Sequence, residues 1–137
     1  MRLVADANVL LSAVTGGRAG LILARPDLAE VVTTASAMAE VQEYAGPLAR
    51  KVGLPLQTVL LAIATLPALV IEREEYAHSL PEARRRIARR DPDDVDVLAL
   101  ALHLRADVWS NDSDFEVAGV EWHTTAQLLK LLGLGRS

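Results

Sequence analysis

The acidic residues of this chain are unevenly distributed. Seven of its nine aspartates lie between Arg90 and Phe115, beside one of the most apolar runs of the sequence, and Asp6 and Glu40 come shortly after two other apolar runs. Carboxylates brought close together repel one another and lose hydration, so they converge where protons or cations compensate. Because the chain has no cysteine, an oxygen-only site suits a hard cation, Mg²⁺ or Mn²⁺, better than zinc. Hydrolysis of a phosphodiester is the chemistry that these residue types fit.

The elements that must position these carboxylates follow from the hydrophobic pattern. Short apolar runs alternate with helical segments, which predicts βαβ units, a parallel sheet and helices on both of its faces in a single domain, residues 1–137. Strands are predicted at 2–7, 30–34, 67–72, 106–110 and 120–124. Helices are predicted at 8–14, 21–24, 36–50 with a break near Gly46-Pro47, 54–66, 74–80, 81–90, 91–105 and 125–133, the last one stopped by Gly133.

Four acidic residues map to one edge of this predicted sheet. Ligands of open parallel sheets gather beyond the carboxyl ends of the strands. Asp6 directly follows the first strand and Asp112 follows the fourth, while Asp94 lies in the first turn of the helix that precedes the fourth strand. Glu40 lies about one turn into the helix after the second strand. Their joint position predicts a shared pocket.

Helical spacing distinguishes Asp94 from its neighbour Asp96. At about 100° per residue, Asp94 shares a helix face with Leu98 and Leu102, whereas Asp96 points about 200° away. We therefore expect Asp94 to face the pocket and Asp96 to face elsewhere.

Each acidic segment also has a purely structural interpretation. Asp6 and Asn8 are suitable helix caps. The DPDD segment at 91–94 places proline and acidic residues where a helix N-terminus favours them, so Asp91 and Asp93 are cap candidates too. The NDSD segment at 111–114 has turn composition, and Glu40 by itself is typical of an exposed helix face. Only the common position at the strand ends favours a site.

Basic residues are concentrated directly before the aspartate cluster, although the net charge is −4. Such a strip is either a solvated helix face or a surface that binds phosphates. Five of the 14 basic residues lie within seven positions: Arg84, Arg85, Arg86, Arg89 and Arg90. The three histidines show no ligand spacing in the sequence, and we do not expect a histidine to act as a general base.

Four segments in order resemble the PIN domain family of metal-dependent ribonucleases, which includes the VapC-type toxins. They are VADANVLLSA at 4–13, SAMAEV at 36–41, DPDDVDVLALAL at 91–102 and ADVWSNDSDF at 106–115. The resemblance implies a Rossmann-like three-layer α/β/α sandwich with about five parallel strands, a Mg²⁺ or Mn²⁺ site and cleavage of single-stranded RNA. It further implies a homodimer or larger assembly and, for a toxin, a small antitoxin protein as partner.

The family's site residues carry over position by position. The resemblance implies that the catalytic acidic site consists of Asp6, Glu40, Asp94 and Asp112. For the mechanism we expect Asp6, Asp94 and Asp112 to hold one metal ion, with Glu40 either holding a second ion or orienting the attacking water. The resemblance adds Asn8 and Ser110 as polar neighbours of the site and Asp114 as an occasional helper. Apart from the resemblance, helical spacing leaves Asp91 as a further supporting position, and the charge pattern makes Arg84, Arg85, Arg89 and Arg90 the candidate RNA contacts. The chain departs from the pattern at Ala7, where the family often has threonine or serine, and at Ser110-Asn111, where threonine followed by a basic or small residue is common.

Two other functions remain open. A receiver-type protein that accepts a phosphoryl group on Asp6 would need a lysine late in the chain, and the chain's lysines are Lys51 and Lys130. A PIN-fold module without catalysis would act through a partner, with the apolar segments LLAIATL and LLKLLGLG as possible contact faces.

The amino-terminal apolar patch is interrupted by Asp6 and Asn8, so we expect neither a signal peptide nor a membrane span. We therefore expect a cytoplasmic location.

Overall fold

A parallel sheet of five strands organises the chain in the computed structural model, which describes residues 1–135. The strand order is β3-β2-β1-β4-β5, and every neighbouring pair is parallel. The strands are β1 Arg2–Ala5, β2 Glu30–Thr34, β3 Leu69–Ile71, β4 Asp107–Trp109 and β5 Trp122–His123. The predicted five-stranded parallel sheet is confirmed, although every strand except β2 is shorter than its predicted apolar run.

Helices cover both faces of the sheet. They are α1 Ala7–Val14, α2 Ala19–Leu23, α3 Ala35–Glu43, α4 Ala45–Val52, α5 Leu56–Ala64, α6 Arg73–Tyr76, α7 Leu80–Ile87, α8 Val95–Leu104 and α9 Thr125–Leu131. Three 3₁₀ segments add to them: Ala77–Ser79, Pro92–Asp94 and Ser113–Val117. Within residues 1–135, none of these helices combines the length and the apolar character that crossing a bilayer requires.

Strand β1 lies at the centre because its side chains serve both layers. Leu3 and Ala5 belong to the core cluster beneath α1, α2 and α9, whereas Val4 belongs to the cluster beneath α7 and α8. The alternation follows from the two-residue period of a strand, and a strand buried on both faces is apolar throughout. The carboxyl end of β1, and Asp6 after it, is therefore fixed from both sides of the sheet.

Most predicted helices differ from the observed ones at their ends, and two of these differences have a clear physical cause. The segment at 36–50 divides at Tyr44 rather than at Gly46-Pro47, because Pro47 occupies the first turn of α4, where no helical partner for its missing N–H is needed. The segment at 91–105 becomes helical only from Val95, since residues 92–94 form a 3₁₀ turn capped by Asp91. Gly133 lies just beyond α9 with a φ of 72°, as a helix stop requires.

Candidate metal centre

A cavity of about 660 Å³ opens at the carboxyl edge of the sheet. It lies where β1, β2 and β4 end and where α1, α3 and the turn before α8 begin. The four residues predicted to be catalytic all line it, together with four further carboxylates: Asp6, Glu40, Glu43, Asp91, Asp93, Asp94, Asp96 and Asp112. Asn8 also lines this cavity. The roles of these residues remain predictions, whereas their convergence is a feature of the fold.

Asp6 combines a structural contact with a place in the cavity. It is the N-cap of α1, and its Oδ1 accepts a hydrogen bond from the Val9 N–H at 2.9 Å. Its Oδ2 accepts a hydrogen bond from the hydroxyl of Ser110. The side chain is nearly fully buried, and this burial raises its pKa despite the two hydrogen bonds, with the charge of Asp112 adding to the effect. Asp6 therefore caps α1 and at the same time lines the cavity.

Ser110 connects the two sides of the cavity. Its fully buried hydroxyl donates to Asp6 and accepts the Asp112 N–H at 3.0 Å. Its carbonyl oxygen accepts a hydrogen bond from the indole Nε1 of Trp122 on β5 at 2.8 Å. Sequence reasoning missed Trp122 as a support of the site, because the bond spans two strands whose adjacency only the fold establishes.

The closest group of carboxylates differs from the predicted metal set. Asp91, Asp94, Asp112 and Asp114 each offer one oxygen, and these oxygens all lie within 4.8 Å of one another. Asp6 lies outside this group, and both of its oxygens are already bound by Val9 and Ser110. We name Asp91, Asp94, Asp112 and Asp114 the aspartate cluster.

Asp94 is the member of the aspartate cluster whose negative charge is least favourable in the folded protein. Its side chain is 8 % exposed, and its Oδ2 is buried without a hydrogen-bond partner among residues 1–135. Burial raises its pKa to about 8, followed by the charges of Asp91, Asp112 and Asp6. A buried carboxylate oxygen with no partner costs free energy unless a proton or cation meets it. The donor set is therefore one that a hard divalent cation fits.

Backbone contacts fix two other members. Asp112 caps the 3₁₀ segment at Ser113–Val117 through a bond from the Asp114 N–H to its Oδ1 at 2.9 Å. Asp91 accepts the Asp93 N–H at the same distance. In each pair the backbone bond uses one carboxylate oxygen and leaves the other for a ligand.

The expectation that Asp96 faces away from the pocket is wrong. Asp96 lines the cavity, because Asp94 belongs to a 3₁₀ turn and the 100° step of an α-helix does not apply between them. Its Oδ2 accepts the hydroxyl of buried Tyr76 at 2.5 Å and lies 3.4 Å from Nε of Arg73. Burial and this contact raise the pKa of Tyr76. Asp96 is thus already partnered within the protein.

Glu40 lies on α3, whose N-terminus is capped by Thr34. Partial burial raises its pKa, and the charges of Asp93, Asp6 and Asp91 raise it further. It lines the cavity without belonging to the aspartate cluster. A carboxyl whose pKa is moved towards neutrality is suited to accept or donate a proton.

The basic strip before the cluster divides into paired and unpaired residues. Arg85 and Arg86 both pair with Glu82, and Arg86 also donates to the carbonyl of Ala118 at 2.9 Å. Arg90 lies 3.2 Å from Asp114 of the aspartate cluster. The two remaining arginines, Arg84 and Arg89, are exposed and form no ion pair within the described part of the chain.

Two of the three histidines lie close together in the fold, although no ligand spacing links them in the sequence. His103 Nδ1 and His78 Nε2 lie 3.2 Å apart, and Glu75 lies 3.5 Å from the other nitrogen of His103. The pair lies on α8 and the 3₁₀ segment before α7, and neither ring lines the acidic cavity.

No lysine lines the acidic cavity within residues 1–135, which disfavours a phosphoryl-accepting function at Asp6.

Known proteins share this fold. The model of the PIN domain family matches residues 4–133 of the chain. VapBC2 from Rickettsia felis, in a crystal structure with a promoter DNA fragment, has a TM-score of 0.70 at 14% identity, over 90% of this chain and 98% of that one.

Two further structures are similar. FitAcB from Neisseria gonorrhoeae has a TM-score of 0.62 at 20% identity, over 90% of this chain and 98% of that one. VapC20 from Mycobacterium tuberculosis, described as a toxin that cleaves the sarcin-ricin loop, has a TM-score of 0.60 at 17% identity, over 86% and 95%. No curated protein sequence matches the chain.

Proposed function

The chain belongs to the PIN domain family, and we propose that it is a divalent-cation-dependent endoribonuclease that hydrolyses phosphodiester bonds of single-stranded RNA. One observation carries the proposal: the buried Oδ2 of Asp94, which has no hydrogen-bond partner within residues 1–135, lies in a cluster of four carboxylates at the carboxyl edge of the sheet. A protein that only needed a helix cap would not require so many charges around a buried oxygen.

We propose that Asp94 and Asp112 hold the cation, Mg²⁺ or Mn²⁺, with Asp6 as the third ligand of the family's pattern. Asp91 and Asp114 belong to the same cluster and add negative charge close to it. When bound, such a cation polarises a phosphate oxygen and stabilises the charge that develops on the leaving oxygen. Ser110 positions Asp6 and Asp112 relative to each other through its hydroxyl.

The proton chemistry falls to Glu40 in this proposal. Water attacks phosphorus, the P–O3′ bond breaks, and the products are a 5′-phosphate and a 3′-hydroxyl. Glu40 accepts one proton of the attacking water, and the 3′ oxygen receives a proton from solvent. The raised pKa of Glu40 supports this role, since a base whose pKa lies closer to the working pH is more effective.

Cleavage of single-stranded RNA in the presence of Mn²⁺ tests the proposal. We expect Asp6→Asn and Asp112→Asn to lower the rate at least about a hundred-fold, and Glu40→Gln to lower it by about 10² to 10⁴. Asp27→Asn is the matched control. Asp27 is an exposed aspartate that pairs with Arg25, and it precedes the N-terminal end of β2, at the edge of the sheet opposite the cavity. Equal rates for the parent and Asp6→Asn would exclude hydrolysis at this cavity.

An antitoxin partner is the further proposal that the similar structures support. The crystal structure of VapBC2 contains a DNA fragment from the promoter of its components, and the name VapBC refers to a complex of two proteins. If the chain is a toxin of this type, a short open reading frame next to its gene encodes a protein that co-purifies with it and abolishes its cleavage of RNA. Co-expression of the two reading frames, followed by size-exclusion chromatography and an RNA cleavage assay, measures both effects.

A non-catalytic interaction module is the second candidate, and exposed apolar side chains favour it. Leu61 on α5 is 65 % exposed, and Leu69 on the edge strand β3 is 59 % exposed. Such side chains suit a contact with a partner or with a second copy of the chain in a homodimer. A folded parent protein that binds Mn²⁺ in calorimetry but cleaves no RNA would favour this candidate over the nuclease.

A further inference from the structure

A second cavity adjoins the acidic one. It has a volume of about 400 Å³ and lies between α1 and α4. Asn8, Leu11 and Tyr44 line both cavities, so the two are continuous. We name the second cavity the α1–α4 groove.

The groove is built by one face of each helix. From α1 and its C-cap come residues 8, 11, 12 and 15, and from α4 and its N-cap come residues 44, 47, 48 and 51. Both sets have the spacing i, i+3, i+4 and i+7, which places their side chains in a row along one helix face. Two such rows facing each other form an elongated channel that begins at the aspartates and leads away from them.

The lining of the groove combines an apolar floor with unpartnered polar groups. Leu11 and Leu48 supply aliphatic surface, and Tyr44 is a half-exposed aromatic side chain at the junction with the acidic cavity. The amide of Asn8, the hydroxyl of Tyr44 and the ammonium of Lys51 form no side-chain hydrogen bond or ion pair within residues 1–135. Lys51 lies seven residues beyond Tyr44, about 10 Å along the helix.

We propose that the α1–α4 groove is a subsite for one unpaired nucleotide of the RNA, next to the phosphate that is cleaved. This inference rests on the proposed nuclease function. The base stacks on Tyr44 against the floor of Leu11 and Leu48, the Asn8 amide hydrogen-bonds to the base edge or the ribose, and Lys51 pairs with the following phosphate.

The chemistry of the lining favours a nucleotide over other occupants. Recognition of single-stranded RNA commonly combines an aromatic platform with a cation that meets the backbone. The acidic cavity repels phosphates, so a cation at the far end of the groove fixes the direction in which the strand leaves. A purely apolar groove would suit a helix of a protein partner, whereas this one carries along its length three polar groups that have no side-chain partner among the described residues.

Steady-state cleavage of a single-stranded RNA tests the subsite. We expect Tyr44→Leu to raise KM about five-fold or more with little change in kcat, because a stacking contact present before and during the reaction contributes to binding alone. Tyr44→Phe keeps the aromatic ring and restores most of the affinity that Tyr44→Leu loses. The chain offers one matched lysine control: we expect Lys51→Gln to raise KM, whereas Lys130→Gln on α9 leaves it at the parental value.

Direct binding provides a readout that does not depend on turnover. In an Asp112→Asn background, fluorescence anisotropy with a labelled single-stranded RNA should show the same loss of affinity for Tyr44→Leu. Lys51→Gln should reduce the slope of log Kd against log salt concentration by about 0.7, as the loss of one phosphate contact to a single strand predicts. Circular dichroism of each variant checks that the fold is retained.

The outcomes separate the two proposals. If the parent cleaves RNA and the Tyr44 and Lys51 variants retain its KM and Kd, the subsite is wrong while the nuclease stands. If the parent cleaves no RNA, the proposed function fails. If the variants then also bind RNA with the Kd of the parent, the subsite is excluded as well. If the variants retain RNA binding but lose binding to the protein encoded by the adjacent reading frame, the groove is a protein contact and the inference is overturned.

Discussion

Replacement of Asp94 by asparagine should stabilise the cation-free protein at neutral and alkaline pH. Burial among like charges raises the pKa of this carboxyl to about 8, and its Oδ2 has no hydrogen-bond partner in the described part of the chain. A shift from 3.8 to about 8 corresponds to about 4 kcal/mol of lost stability at pH 7. Since an asparagine does not replace every contact ideally, we expect Asp94→Asn to recover about 2 to 4 kcal/mol.

The pH dependence follows from the direction of the shift. Folded Asp94 binds its proton more tightly than the unfolded chain does, so the folded state carries the extra proton between the two pKa values. The free energy of unfolding of the parent therefore falls as pH rises from about 4 to about 8, and it is level above that. The advantage of Asp94→Asn should be largest at pH 8 and should disappear near pH 4.

Thermal unfolding in a chelating buffer, at several pH values, measures this difference. A gain of 2 to 4 kcal/mol corresponds to a rise in Tm of roughly 6 to 15 °C for a chain of this size. Asp93→Asn is the matched control, because Asp93 is exposed and its replacement removes the same charge one residue away. Added Mn²⁺ should stabilise the parent and have little effect on Asp94→Asn.

Two results would refute the electrostatic account of Asp94. The first is an Asp94→Asn protein that is no more stable than the parent at pH 8 in chelator. The second is a stability difference that stays constant between pH 5 and pH 8, since a buried, charge-coupled carboxyl must titrate within that range. An equal response of the parent and Asp94→Asn to Mn²⁺ would separately remove Asp94 from the cation site.

Three further replacements test the supports of the cavity. Ser110→Ala removes the donor to Asp6, and we expect a loss of about 1 to 3 kcal/mol in urea unfolding together with a drop in RNA cleavage of about 10- to 100-fold. Tyr76→Phe leaves Asp96 with Arg73 alone, which should cost about 1 kcal/mol in the same unfolding assay while cleavage changes less than two-fold. Trp122→Phe keeps the aromatic packing but removes the hydrogen bond to the Ser110 carbonyl. We expect kcat, measured by the cleavage assay, to be affected more than Tm, measured by calorimetry. A fall in Tm alone would assign the indole a purely structural role.

The sequence was sufficient where local pattern and topology decide the outcome. Asp6 and Asp112 follow strands whose apolar runs are visible in the chain, and parallel strands bring such ends to one edge. The segment around Pro92 shows the limit of local reasoning: an ideal helix was assumed there, and the 3₁₀ turn that forms instead brings Asp96 to the cavity.

Contacts between distant residues were beyond sequence reasoning. Tyr76 and Asp96 are 20 residues apart, and His78 and His103 are 25 apart, on elements whose packing only the folded chain defines. The same limit applies to the oxygens of Asp6. Whether they face a ligand or the Ser110 hydroxyl depends on how β4 meets β1, which no spacing in the chain encodes.

The bond between Ser110 and Asp6 joins residues 104 positions apart, and it has a consequence for the chain as it is synthesised. Asp6 leaves the ribosome before its partner Ser110, which follows the neighbouring strand β4, and Trp122 is translated later still. A nascent chain therefore holds an incomplete cavity until β4 and β5 have been synthesised. Truncated products that end before β4 should consequently be inert towards the RNA around them.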